Sequence, residues 1–330
     1  MRRSGFTLIE MMTVVAIFGL VAIYVGRILT VNERAYHTVE NTSESQQNLR
    51  VFGELVEDDV RHAGMMVSRN TAVCGRDFTN APDVLYVSDA AAIDPQDDVT
   101  PYNGPAITAP AGTTNLTAGA SITLTLSSLM VETGAANRKA YDTDSNGTAD
   151  SDFRVNGGVI VFDTATPSRG NACGRITALN LATNQITVLG AAAMTAGAGT
   201  TLVAVPANEY RVNGTQLLWN GIALADGIED FQVAYVFDID GDNQIDGNTD
   251  KRGFGEAGQS SYTSSELQPA LMRELEIGIV SRARLTDPTF VGGRPQALLN
   301  RAAITTADGF RRRTFQTRVV LRNLATRIDS

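Results

Sequence analysis

The sequence predicts an α+β fold in which one long N-terminal helix packs on an antiparallel β-sheet elaborated by insertions. Three observations lead there. No proline occurs before Pro82, so nothing in the first 81 residues forbids a continuous helix. Leu49, Phe52, Val56, Val60 and Ala63 recur at three- and four-residue spacing, which draws an apolar stripe along one helix face. After Gly64 the chain changes to short β-branched runs separated by Gly, Asn and Asp turns.

The helix is expected over residues 6–64, with Gly64 as its stop. It has two parts. From Phe6 to Gly26 the chain is apolar almost without interruption. That length makes about 31 Å of helix, which matches a hydrocarbon core of about 30 Å. Residues 6–29 are therefore expected to cross a membrane. A secretory signal would have a shorter apolar region and an Ala-x-Ala-like cleavage site, and the sequence has neither. Arg2 and Arg3 precede the span and keep that end cytoplasmic. Residues 32–47 are mostly polar, and the apolar stripe then begins.

Strands are expected at residues 83–88, 122–126, 158–162, 228–237, 275–283 and 314–324. A hairpin is read over 175–189, turning at 182–184. Another is read where Asn213-Gly214 separates 210–212 from 217–219. The Ala/Thr/Gly/Asn-rich stretches 89–120 and 190–201 read as loops or insertions. No domain boundary or internal repeat is evident.

Glu10 breaks the apolar run. A central acidic residue in a membrane helix costs about 2.5–3.5 kcal/mol on insertion scales, so it calls for a partner. Gly5-Phe6-Thr7-Leu8-Ile9-Glu10, followed directly by an apolar span, resembles the class III signal of type IV pilins and type II secretion pseudopilins. The resemblance implies cleavage by prepilin peptidase between Gly5 and Phe6, methylation of the new Phe6 terminus, and a role for Glu10 in assembly. A neighbouring subunit's charged α-amino group would then neutralise Glu10. Residues 1–5 would be a removable leader, 6–64 the helix with 6–29 as filament core, and 65–330 an exported head. Losing Arg2 and Arg3 would take the net charge from −9 to −11.

The C-terminal half adds to this. Gly227-Ile-Glu-Asp-Phe-Gln-Val-Ala-Tyr, an Asp-rich loop, and then Phe310-Arg-Arg-Arg-Thr-Phe-Gln-Thr-Arg-Val-Val-Leu-Arg-Asn-Leu resemble PilW-type minor pilins, relatives of the J-type pseudopilins. The resemblance implies a non-enzymatic subunit that primes or caps a type IV pilus and supports piliation, twitching motility or adhesion. The alternative is a minor pseudopilin at a type II secretion tip. Implied partners are other minor pilins, the major pilin, prepilin peptidase, the inner-membrane assembly platform and a tip adhesin. The chain would lie in the inner membrane with a periplasmic head before assembly, and on the cell surface afterwards.

Cys74 and Cys173 are the two cysteines. Neither sits in a Cys-x-x-Cys pair, and in an exported head one disulfide is expected.

Two acidic loops have calcium-ligand spacing. Asp142, Asp144, Asn146, Thr148 and Asp150 form the first; Asp238, Asp240, Asp242, Gln244 and Asp246 form the second. Alternating oxygens of this kind can wrap a hard cation, and structural calcium is the expected cofactor. Phe153 and Thr249 occupy the twelfth positions where a bidentate Glu is usual, so Asp152, Asp250 or water would have to supply that ligand. Acidic turns without metal have the same composition.

Enzyme signatures are weak. His37 and His62 would stand about 37 Å apart along the helix and cannot share a site within one chain. Gly253-Phe-Gly255-Glu-Ala-Gly258 does not lie between a strand and a helix, and no P-loop occurs. The acidic total also argues against nucleic acid as a partner, despite the run Arg311-Arg312-Arg313.

Overall fold

The structure is a computed structural model. The structure describes residues 7–65, 67–78, 80–88, 104–109, 115–116, 118–129, 151–167, 170–190, 194–195, 202–242, 245, 251–253, 268–287, 290, 292–293, 297–303 and 308–325.

Helix α1 runs unbroken over Leu8–His62, 55 residues. That is about 82 Å. Leu49, Phe52, Val56, Val60 and Ala63 are all buried, so the apolar stripe is the packing face. At the end of α1, Gly64 takes φ +77° and donates its N–H to the Ser88 carbonyl at 2.9 Å. Side chains from Leu8 to Val31 are exposed throughout.

Among the described residues sixteen strands follow: β1 Val73–Arg76, β2 Val84–Val87, β3 Ile107–Ala109, β4 Asn115–Leu116, β5 Ser121–Leu126, β6 Gly158–Asp163, β7 Asn171–Asn180, β8 Gln185–Gly190, β9 Met194–Thr195, β10 Leu202–Asn213, β11 Gln216–Trp219, β12 Ile222–Asp226, β13 Ile228–Phe237, β14 Lys251–Gly253, β15 Met272–Arg282 and β16 Arg312–Val320. A short helix α2, Arg322–Ala325, ends the described chain. All pairings between strands are antiparallel.

The head holds two large sheets where the sequence suggested one. A four-stranded sheet, β14-β13-β15-β16, packs its Phe231, Val233, Tyr235, Leu275, Ile277 and Ile279 face on α1. The ten-stranded sheet follows the order β1-β2-β10-β6-β7-β8-β5-β3, with β11 and β12 added beside β10. Strand β10 serves both ends of that sheet. Its first half pairs with β6, and its second half pairs with β2 and β11. A second core, including Leu124, Phe153, Val161, Ile186 and Val188, fills the part of the large sheet away from α1.

Cys74 on β1 and Cys173 on β7 form a disulfide with Cα atoms 6.1 Å apart. In the strand order these strands are four steps apart, about 19 Å in a flat sheet. The sheet must therefore curl until β1 meets β7. Asn171 on β7 completes the closure by donating its amide hydrogens to the carbonyls of Asn70 and Val73, both at 2.8 Å.

Three sequence expectations need adjustment. The stretches 89–120 and 190–201 were read as loops but contribute β3, β4 and β9. Residues 322–325 are helical rather than the end of a strand. In the Asn213-Gly214 hairpin, Asn213 still pairs with Gln216, so the two loop residues are Gly214 and Thr215.

Candidate functional site

Thr7 is the N-cap of α1. Its N–H and its hydroxyl each donate to Glu10 Oε2 at 2.9 Å, and its oxygen accepts the Glu10 N–H at 3.4 Å. This is a capping box, which satisfies two otherwise orphaned groups reciprocally. Glu10 therefore has a partner within its own chain, and a neighbour's amino group would have to join or displace these bonds. The sequence reading missed Thr7, although Thr-x-x-Glu at the start of an apolar run is the signal for such a cap. Gly5 and Phe6 lie outside the described residues.

Further along, α1 is fastened to the head by polar groups as well as by its apolar stripe. Asp59 accepts from the Tyr210 hydroxyl at 2.8 Å and from the Asn208 amide at 3.4 Å. Asn208 accepts in turn from Asn220 and from Arg154, whose guanidinium lies 4.9 Å over the Trp219 ring. The C-terminal end of α1 is closed by Asn323 on α2. Its amide points at the carbonyls of Arg61, His62 and Ala63 at 3.2–3.5 Å.

Of the two acidic loops, the first lies outside the described residues from Asp142 to Asp150. Its twelfth-position residue, Phe153, is buried in the second core, and the offered substitute Asp152 is also buried. In the second loop Asp238, Asp240 and Asp242 bring one oxygen each within 4.8 Å of the others. Gln244, Asp246 and Asp250 lie outside the described residues. Asp238 accepts the Gly241 N–H at 2.8 Å on one oxygen and the buried Arg273 guanidinium at 3.1 Å on the other. Gly241, at φ +77°, makes a turn within this loop. Three converging hard oxygens fit calcium, since each retains a lone pair. Arg273 has already neutralised one of the three charges, which lowers the charge left for a cation to balance.

The arginine run is held in ion pairs and ring contacts. Arg311 pairs with Asp287 at 2.7 Å and lies 5.0 Å over the Phe290 ring. Arg312 is buried between Glu229 and Asp308. The bond from Arg312 draws the Asp308 carboxyl down to about 2. Nucleic acid would have to compete with these acidic partners.

Two family descriptions match the chain. Residues 1–25 match the prokaryotic N-terminal methylation motif, and residues 193–323 match Type IV Pilus-assembly protein W. In both stretches the chain resembles type IV pilins of the PilW type. The first match covers the capped start of α1. The second covers the strands from β9 to β16, including the sheet against which the helix packs. A type IV-like pilin of Thermus thermophilus shares 16% identity with this chain over 52% of this chain and 87% of the other, with a TM-score of 0.23. No protein of curated function matches it in sequence. The apolar helix and the methylation motif are consistent with a membrane-anchored pilin, and pilins are structural proteins.

Proposed function

We propose that this pilin is a minor subunit that primes assembly of a type IV pilus and caps its tip, supporting piliation and twitching motility or adhesion. The observation that carries the reading is the pairing of a methylation-motif helix, exposed over Leu8–Val31, with a two-sheet head. An apolar rod of that length needs lipid or other helices around it. A head enlarged by a second sheet suits a few positions at an end better than every position along a thin fibre. Before assembly the chain lies in the inner membrane with its head in the periplasm. Prepilin peptidase cleaves after Gly5 and Phe6 is methylated. Other minor pilins, the major pilin, the assembly platform and a tip adhesin are its partners.

Gene deletion with complementation tests this. Deletion should abolish surface pili and twitching, and the intact gene should restore both. A Glu10→Ala gene should not, although its product still accumulates in the membrane. Retained piliation with lost exoprotein secretion would instead make the chain a pseudopilin.

We also propose that the Asp238–Asp246 loop holds structural calcium. The convergence of Asp238, Asp240 and Asp242 supports this, because Arg273 offsets one of the three close carboxylates and a cation would balance the rest. Full-length pilin in detergent, stripped with EGTA, should melt higher when calcium is returned. Asp240→Asn combined with Asp242→Asn should remove that gain. Identical melting with and without calcium in the unaltered chain would end the proposal.

A further inference from the structure

Three Asn-Gly pairs lie among the described residues: Asn156-Gly157, Asn213-Gly214 and Asn220-Gly221. Their local chemistry is the same, and the fold treats them differently. Asn-Gly is a reactive pair because glycine's bare backbone lets its nitrogen approach the asparagine side-chain carbonyl. The Gly nitrogen attacks Asn Cγ, ammonia leaves, and a five-membered succinimide forms. Water then opens that ring to aspartate or isoaspartate. Nothing is oxidised or reduced, and solvent is the one co-reactant.

Asn220 is shut out of this reaction. It is buried, its Oδ1 accepts the Glu209 N–H at 2.8 Å, and its amide donates to Asn208 Oδ1 at 2.8 Å. Swinging Cγ toward Gly221 would break both bonds. Asn156 is exposed, but its neighbour's nitrogen is engaged: the Gly157 N–H donates to the Arg154 carbonyl at 3.1 Å. The Gly157 carbonyl meanwhile accepts from Ile176 at 2.9 Å, so both backbone polar groups of Gly157 are held.

Asn213 has neither protection. It is exposed at the end of β10 and closes a two-residue hairpin opposite Gln216. Gly214 has φ +63°, and no heavy atom lies within 4 Å of where a Cβ would stand. A positive φ at the first loop residue, with Thr215 outside the positive region, is the type II′ turn. In that turn the Gly214 N–H points away from the ladder, and among the described residues it donates to no backbone carbonyl.

We infer that Asn213 is a site of spontaneous deamidation, so that the folded pilin ages at one hairpin tip by gaining a negative charge. The isoaspartate product also lengthens the backbone by one atom, where β10 passes the chain to β11. A subunit held outside the cell is not resynthesised in place, so the product accumulates.

The test is peptide mapping of full-length pilin in detergent micelles after incubation at mildly alkaline pH, alongside the same protein in urea. Conversion adds about 1 Da per site. In urea all three sites should convert at similar rates. In the folded protein Asn213 should convert at least about tenfold faster than Asn156 and Asn220, as expected if the fold raises their barriers by one decade. Asn213→Gln should remove the early converted form of the peptide that carries residue 213 and leave the other two sites unchanged. Similar slow rates at all three sites in the folded protein, or faster conversion at Asn156 or Asn220, would overturn the inference.

Discussion

Asp83 joins the two large sheets at a point where water does not reach. Its N–H donates to the Phe231 carbonyl at 2.7 Å, and its carboxylate oxygens accept the N–H groups of Phe78 and Val233 at 2.7 and 2.8 Å. Burial pushes its carboxyl from 3.8 up to about 8; Asp77 and Asp230 push the same way, while the two N–H bonds oppose. An acid that holds its proton more tightly when folded favours the folded state at low pH and loses that advantage as pH rises. The protein should therefore be most stable toward the lower end of the interval from 3.8 to about 8 and lose stability across it. Melting curves taken across that range should show Tm falling, with a shallower fall in Asp83→Asn. A Tm that rises with pH in the unaltered chain would contradict the assignment.

Asn323 gives a second test at the same scale. Replacing it with Ala leaves the last carbonyls of α1 without their side-chain donor. A loss of about 1 kcal/mol is expected in denaturant unfolding, with no change in the m-value.

At the scale of elements, α1 and β16 approach closely because Gly53 has no side chain. A Cβ there would stand 2.6 Å from the Phe315 ring. Glycine inside a helix ordinarily costs about 1 kcal/mol against alanine, so propensity alone favours replacing this residue. The contact reverses the sign for a bulky residue. Gly53→Val should destabilise by about 1–3 kcal/mol through overpacking, measured by denaturant unfolding. The apolar stripe on α1 was readable because its partners share one helical period. Gly53 was not, since its reason lies on a strand more than 250 residues later. The same holds for Asp59, whose partners Asn208 and Tyr210 are about 150 residues away. Strands β6, β13 and β15 stood out as apolar runs. Strand β3, Ile-Thr-Ala, lay hidden in an Ala/Thr-rich stretch because three residues are too few to show alternation.

At the scale of the molecule, curling of the ten-stranded sheet and the disulfide are one event. The division into two sheets was not legible in the sequence, because it depends on β10 pairing with β6 along one half and with β2 and β11 along the other. Local pattern gives a strand its faces and says little about its neighbours. The cysteine pair was legible from count and compartment alone. Joining residues 99 apart removes much of the unfolded chain's freedom. Replacing Cys74 and Cys173 together with Ala should cost about 3–5 kcal/mol by urea titration. The loss should concentrate where β1 meets β7, so protease should cut near Asn70 to Arg76 before it cuts the four-stranded sheet. Equal susceptibility of the two sheets would argue against that view of the closure.

The placement of α1 on β16 has a mechanical result. Gly53 faces Phe315 and Gly64 faces Leu324, so helix and chain advance in the same direction. A pull on the N-terminal end of α1 runs along this seam rather than across it. The seam is loaded in shear: the apolar contacts, the Asp59 bonds and the Asn323 closure share the tension and must yield together, whereas a transverse pull would open them one after another like a zip.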